Sequence, residues 1–338
     1  MVVIVSYSLA VIMCVVTMIC WGSWGNTQKL VSGKNWSFQL YYWDFTIGLF
    51  ILTLILAFTI GSFGHLGHQF IPNLEQASTG ALFSAFVGGV IFNAGNILIA
   101  IAIDIAGMAF AFPVGVGFAL VIGVISNYIP NPIGNPFLLF LGVGLVVLAI
   151  VLSALAHRKV QSAAIKENKI VKGLIVALLG GILIGIFFRF LMNSIGTVDF
   201  TKLIPGDLSP YTAIVLYGLG ILISSFIFNT LNMYKPITGK KCTYADYFKK
   251  GSILTHLVGM CGGLLCGLGT SCILLASAAA GPSISYGLGQ GATLIAAVWG
   301  VFIWKEFKNG PKGTNKILIF MFLGFLMGLA LIIISRIV

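Results

Sequence analysis

Residues 79–129 read TGALFSAFVGGVIFNAGNILIAIAIDIAGMAFAFPVGVGFALVIGVISNYI, with Asp104 as the one charged side chain. Crossing the roughly 30 Å hydrocarbon core of a bilayer takes about 20 apolar residues in a helix. The stretch therefore holds two crossings, 79–101 and 107–129, joined by a turn so short that they must form a hairpin. Asp104 reads as a turn residue in that hairpin. Comparable runs lie at 2–24, 41–62, 135–156, 170–192, 211–230, 252–272, 285–303 and 316–337, which predicts an all-α polytopic membrane protein with ten transmembrane helices. Composition agrees: of 338 residues 59% are hydrophobic and 8% charged, against about 25% charged in soluble domains. The first run has neither a basic leader nor a small-residue cleavage site, so it is read as a retained helix.

The charges lie almost wholly between the runs. All of the 19 basic residues except Arg189, Lys202 and Arg336 fall in the loops after odd-numbered helices, Lys29, Lys34 and Lys166 among them. By the positive-inside rule those loops face the cytoplasm and both termini lie outside. The net charge of +11 then reflects topology and attraction to the lipid bilayer, and no nucleic acid partner is implied. No GxxxxGK[ST] loop is present, which argues against an ATP-driven pump. Cys14, Cys20, Cys242, Cys261, Cys266 and Cys272 form no CxxC pair and read as packing residues, so neither a metal site nor a cofactor is expected.

The largest basic loop divides the chain into residues 1–158, a linker at 159–169, and residues 170–338. Each half carries five helices, and because five is odd the halves must face opposite ways. Internal similarity supports this: Gly88, Gly89, Gly95, Ala106, Gly107, Gly115 and Gly117 align without gaps on Gly262, Gly263, Gly269, Ala280, Gly281, Gly289 and Gly291, at an offset of 174 residues. Two inverted five-helix repeats are the hallmark of secondary transporters, whose solute site lies where the repeats meet.

Residues 20–29 (CWGSWGNTQK), 41–45 (YYWDF), 57–64 (AFTIGSFG), 88–96, 125–128 (ISNY) and 185–188 (GIFF) resemble the ureide permease family, which belongs to the drug/metabolite transporter superfamily and adjoins its glucose/ribose porter branch. The resemblance spans most of the chain. It implies the drug/metabolite transporter fold and transport of a sugar such as ribose or glucose, or of a ureide or nucleobase such as allantoin or uracil. Arg189 departs from the pattern, following residues 185–188 where a small or neutral residue is expected.

Polar side chains inside membrane helices are costly unless partnered or wet, so each is a functional candidate. Asn93 and Asn96 share a helix face and could offer donors and acceptors to a neutral solute, or could bond neighbouring helices. Thr270 and Ser271 stand opposite them in the second repeat. Gln290, flanked by glycines, and Tyr286 one turn earlier suit recognition of hydroxyls or ring nitrogens. Trp21, near the end of the first helix beside Trp24, could stack on a sugar or flat heterocycle, or belong to an interfacial aromatic belt.

Asp44, an acid at the mouth of an apolar helix, is the candidate for coupling to H+. Its competing role is a first-turn acid that caps its helix or pairs with Lys29. Arg189 is either a gate or a snorkelling residue sharing a face with Asn193. The expected function is a secondary transporter in the cytoplasmic (inner) membrane moving a small neutral polar metabolite, foremost a sugar, by alternating access, most simply by proton symport. Export of hydrophobic cations is an alternative that would depend on Asp44. A membrane enzyme would need a cluster such as His65, His68 and Glu75, whose spacing resembles no ligand set.

Overall fold

The computed structural model describes residues 1–32, 36–64, 67–160, 167–196, 199–202, 204–237 and 239–338. Lys34, His65, Lys166 and most of the 159–169 linker lie outside the described residues.

The described residues are helical throughout their ordered elements. In chain order they form α1 (Tyr7–Ser32), α2 (Phe38–Phe58), α3 (Phe70–Gln76), α4 (Thr79–Ala106), α5 (Met108–Tyr128), α6 (Pro136–Val160) and α7 (Glu167–Ile195). There follow α8 (Pro210–Tyr234), α9 (Tyr244–Lys250), α10 (Ile253–Ala280), α11 (Pro282–Gly289), α12 (Ala292–Val298) and α13 (Thr314–Ile334), with a π-helical turn at Trp299–Ile303 continuing α12. Among the described residues nine helices are long and apolar enough to cross a membrane, α11 through the π turn counting as one. In the tenth, α5, the apolar stretch is the shorter Pro113–Tyr128. At 1.5 Å per residue the full 21 residues of α5 span about 31 Å. The chain is a multi-pass integral membrane protein. One end of the bundle, formed where α1, α4, α6 and α8 finish, carries the basic loops and is called the basic face below.

Local chemistry sets the helix ends. Ser78, Ser209 and Ser252 each accept a bond, from the backbone N–H of Ala81, Thr212 and Thr255, at 3.2 Å, satisfying first-turn donors that apolar surroundings would leave bare. Gly107 and Gly281 close the α4–α5 and α10–α11 hairpins at φ +80° and +88°, a conformation only glycine adopts freely. Those hairpins are thus turned by a single residue each, and the segment 104–106 expected as a loop is the last turn of α4 instead. Likewise α1 continues eight residues beyond its expected end, because Asn26 and Lys29 find polar partners in Trp304 and Glu306, and Gln28 lines the same cavity mouth, so none needs to leave the helix.

Both α4 and α10 are 28 residues long and both begin after a serine cap and end at a positive-φ glycine, each feature offset by 174 residues. Helix pairings follow the same rule of five spans: α1 packs on α10 as α4 packs on α7, and α2 on α10 as α4 on α8. The seams are backbone-close. A Cβ on Gly89 would sit 2.0 Å from the Tyr217 carbonyl oxygen, and one on Gly263 would sit 1.9 Å from that of Phe45. Small residues let helices approach where lipid supplies no hydrophobic drive to associate.

A candidate solute cavity

Within the bundle lies a cavity of about 440 Å³ that opens toward the basic face. Its walls come from the second half of α1, the second half of α4, the first half of α5, the ends of α6 and α12, and the middle of α7. The α11–α12 break supplies its deepest polar edge: the helix expected at 285–303 stops at Gly289 and restarts at Ala292, so Gln290 stands at an interruption. Interrupted helices are where membrane transporters expose backbone and side chain to a solute.

Aromatic rings close the opposite end. Phe187 meets Phe92, Tyr217 and Tyr286 at centroid distances of 5.0, 5.7 and 6.3 Å, and Phe188 meets Tyr286 at 5.6 Å. Phe187, Phe188, Tyr217 and Tyr286 are wholly buried. The Tyr286 hydroxyl donates to the Ile184 carbonyl at 2.9 Å, with the Ala119 carbonyl at 3.3 Å, so this residue ties α11 to α5 and α7 and lies behind the cavity wall.

Asn96 and Asn93 divide the two roles open to them. Asn96 lines the cavity and donates through Nδ2 to the Tyr42 hydroxyl at 3.1 Å, which leaves its carbonyl oxygen for a solute. Asn93 is fully buried and saturated: its Oδ1 accepts from the Tyr42 hydroxyl at 2.9 Å, and its Nδ2 donates to Ser224, Ser225 and the Ile221 carbonyl at 2.7, 3.1 and 3.2 Å. It fastens α4 to α2 and α8.

Trp21 and Gln290 also line the cavity. The Trp21 indole N–H donates to the Cys266 carbonyl at 3.2 Å, which fixes the ring against α10. Because α1 runs on to Ser32, Trp21 and Trp24 sit within the helix and not at its end. Thr270 and Ser271 are buried and donate to the Cys266 and Gly267 carbonyls of their own helix at 3.0 and 2.8 Å, away from the cavity.

At the basic mouth, polar side chains bridge three helices. Glu306 takes Lys29 at 2.7 Å and lies 3.5 Å from His157, while the Lys29 ammonium stands 4.2 Å over the Trp304 ring. The Trp304 indole donates to Asn26 Oδ1 at 2.6 Å and that of Trp299 to Ser23 Oγ at 2.9 Å. The hydrogen bond from His157, then that from Lys29 and the charges of both, pull the Glu306 carboxyl down to about 2 against the opposing effect of burial. Asp104, in the last turn of α4, shares this mouth. Sequence reading missed Glu306, His157, Trp299 and Trp304 as site residues. The signal was an acid placed among the lysines of a basic loop.

Lys29 is therefore engaged with Glu306 and not with Asp44. Asp44 is the seventh residue of α2, too deep to cap it, and 1% exposed. It accepts hydrogen bonds from the Tyr247 hydroxyl at 2.5 Å and His256 Nδ1 at 2.8 Å. Neither Asp44 nor Arg189 lines the cavity. Arg189 is half-buried toward the far end of α7 with no ion-pair partner among the described residues, and Asn193 nearby is exposed. No group of three metal-ligating side chains occurs among the described residues.

A family model described as Ureide permease matches residues 41–169 and 158–335. Ureide permease 4 of Arabidopsis thaliana is 23% identical, over 95% of this chain and 95% of that protein. A protein of Enterococcus faecalis, provisionally named for sugar uptake, is 24% identical over 89% of this chain and 91% of its own. A solved crystal structure described only as that of a protein superimposes with a TM-score of 0.64 at 14% identity, covering 98% of this chain and 99% of that one, a likeness of fold alone.

Proposed function

The chain belongs to the ureide permease family, and from that premise we propose that it carries a small, flat, uncharged solute of the ureide or nucleobase class by alternating access. That it is a membrane transporter of small solutes and not an enzyme follows from the family itself. The finer reading rests chiefly on one observation: the carbonyl oxygen of Asn96, unpartnered among the described residues, and the amide of Gln290 share a cavity with the rings of Trp21, Phe92 and Phe187. Ureides and nucleobases pair planar faces, which stack on rings, with alternating N–H and C=O groups, which amides match. A sugar such as ribose or glucose is the second reading, favoured by the Enterococcus faecalis relative. The ordering expected from sequence, sugar before ureide, is thus reversed.

The same proposal takes the two halves, 1–158 and 170–338, as inverted repeats that rock about the cavity. It places the basic face in the cytoplasm of a cell bounded by the inner membrane, with both termini outside. This conformation is then the inward-open one, with the Phe187–Tyr286 cluster as the closed outer gate and Arg189 beyond it. Transport is coupled to protons through a site that includes Asp44. Thr270 and Ser271 enter the path in the opposite conformation, by their correspondence to α4.

Counterflow in proteoliposomes, with labelled allantoin, uracil, ribose and glucose, tests the solute class. Accumulation of allantoin or uracil well above either sugar is expected. Counterflow of the sugars alone would transfer the proposal to the second reading, and no counterflow of any of the four would remove both.

A further inference from the structure

We propose that Asp44 and His256 form the proton-binding site that drives transport, built outside the solute cavity on the seam between α2 and α10 and covered by α9. This deepens the proton-coupled reading above and rests on it. The Asp44 carboxylate is 1% exposed, yet only Oδ1 is satisfied, by Tyr247 and His256. Its Oδ2 makes no hydrogen bond of full geometry among the described residues; the buried indole N–H of Trp36, equally unmatched, lies close enough to act on the same carboxyl without closing that bond. The rings of Trp36, Tyr247 and His256 enclose the carboxylate at mutual centroid distances of 4.8 to 5.7 Å. A pair serving only to hold helices together gains nothing from an orphaned buried oxygen, which costs free energy in the static structure. A site that changes its proton count needs such slack.

The path for the proton is visible. His256, in the first turn of α10 and a few residues after Lys249 and Lys250 of α9, keeps 26% of its side chain exposed. With Nδ1–H directed at Asp44 Oδ1, Nε2 carries the lone pair. A proton arriving from water binds there and leaves an imidazolium against the carboxylate, and release reverses the step. A Cβ on Gly251 would lie 2.2 Å from that Nε2, so glycine is what keeps the nitrogen open. The remaining neighbours are accounted for: on α9 Asp246 pairs with Lys250 at 2.8 Å and Lys249 is exposed, and on α2 the Tyr41 hydroxyl is bonded to that of Thr27.

The seam also reaches the cavity. Ten residues beyond His256, about 15 Å along α10, the Cys266 carbonyl holds the indole of Trp21, and the Gly269 carbonyl accepts from Thr17 of the same α1. A shift of α10 at its His256 end is thereby passed to the cavity wall as a rigid displacement.

The test compares proton-gradient-driven accumulation with counterflow in proteoliposomes, using whichever of the four solutes the wild type exchanges. Asp44→Asn, His256→Gln and Gly251→Ala should each lose at least tenfold of gradient-driven accumulation while still exchanging solute, since exchange moves no net proton. Accumulation within twofold of wild type in both Asp44→Asn and His256→Gln overturns the proposal, as does equal loss of both activities in a variant whose melting curve is unchanged. Should the wild type exchange none of the four, the solute reading fails and the proton site is read without solute, from the pH dependence of intrinsic fluorescence in the purified protein. A change between about pH 5 and 8 that disappears in Trp36→Phe and in His256→Gln supports the site. A change that survives both variants, or none in the wild type, sinks it.

Discussion

Asn93 and Asn96 lie three residues apart on α4, and alanine at each should produce opposite phenotypes. In Asn96→Ala the Tyr42 hydroxyl loses one donor but still donates to Asn93 Oδ1, so no buried group is orphaned. What disappears is one hydrogen bond to a neutral solute, worth about 0.5–1.5 kcal/mol, or roughly a 2- to 12-fold rise in KM. In Asn93→Ala the Tyr42 hydroxyl loses its acceptor inside a fully buried site. Ser224 and Ser225 keep the Ile221 carbonyl at 3.2 and 2.8 Å, so the penalty centres on the single stranded hydroxyl. That costs about 1–3 kcal/mol of stability. Counterflow kinetics and a thermal melt of the purified variants read the two effects separately. The reasoning is refuted if Asn96→Ala lowers stability as much as Asn93→Ala, or if Asn93→Ala raises KM while melting like the wild type.

Further outcomes are expected elsewhere in the bundle. Gly263→Ala and Gly89→Ala, each forcing a Cβ into a carbonyl oxygen of the facing helix, should destabilise by about 1–3 kcal/mol or more, whereas Gly117→Ala, with open space around it, should melt within about 0.5 kcal/mol of wild type. The Glu306 carboxyl is depressed from 4.5 to about 2, so its stabilising contribution is complete above the unfolded value and fades as pH falls through the folded one. The difference in melting temperature between wild type and Glu306→Gln should therefore shrink on acidification below about pH 4; a difference that persists undiminished there contradicts the Lys29–Glu306–His157 geometry. Trp21→Ala should raise KM more than Trp21→Phe, because phenylalanine keeps a ring face for stacking, and equal KM values for the two would place the ring outside the path.

Much of the architecture was legible because a bilayer imposes simple rules. Apolar length marks the crossings, the bias of lysine and arginine sorts the loops, and the glycine pairs at 88–89 and 262–263 fall where helices touch. What escaped was orientation within a helix. Asn93 and Asn96 are separated by 60° around α4, and nothing in the sequence says which of them meets the cavity and which meets Ser224. Thr270 and Ser271 looked like lining residues, yet a hydroxyl in a helix can bond the carbonyl four residues back, and both do. Helix ends were misjudged for a related reason: Asn26, Gln28 and Lys29 read as a loop, but they face a polar mouth assembled from distant segments, so α1 continues through them. The interruption at Gln290 had a local mark in its flanking glycines, while the Glu306 cluster, marked in sequence only by an acid among lysines, joins residues 29, 157 and 306 through the fold.

The decisive measurement is a structure determined with allantoin at saturating concentration. Solute density inside the 440 Å³ cavity, within hydrogen-bond distance of Asn96 and Gln290 and stacked on Trp21, is the predicted result. Density that lies elsewhere, or a cavity that stays empty while labelled allantoin is demonstrably bound, would contradict it.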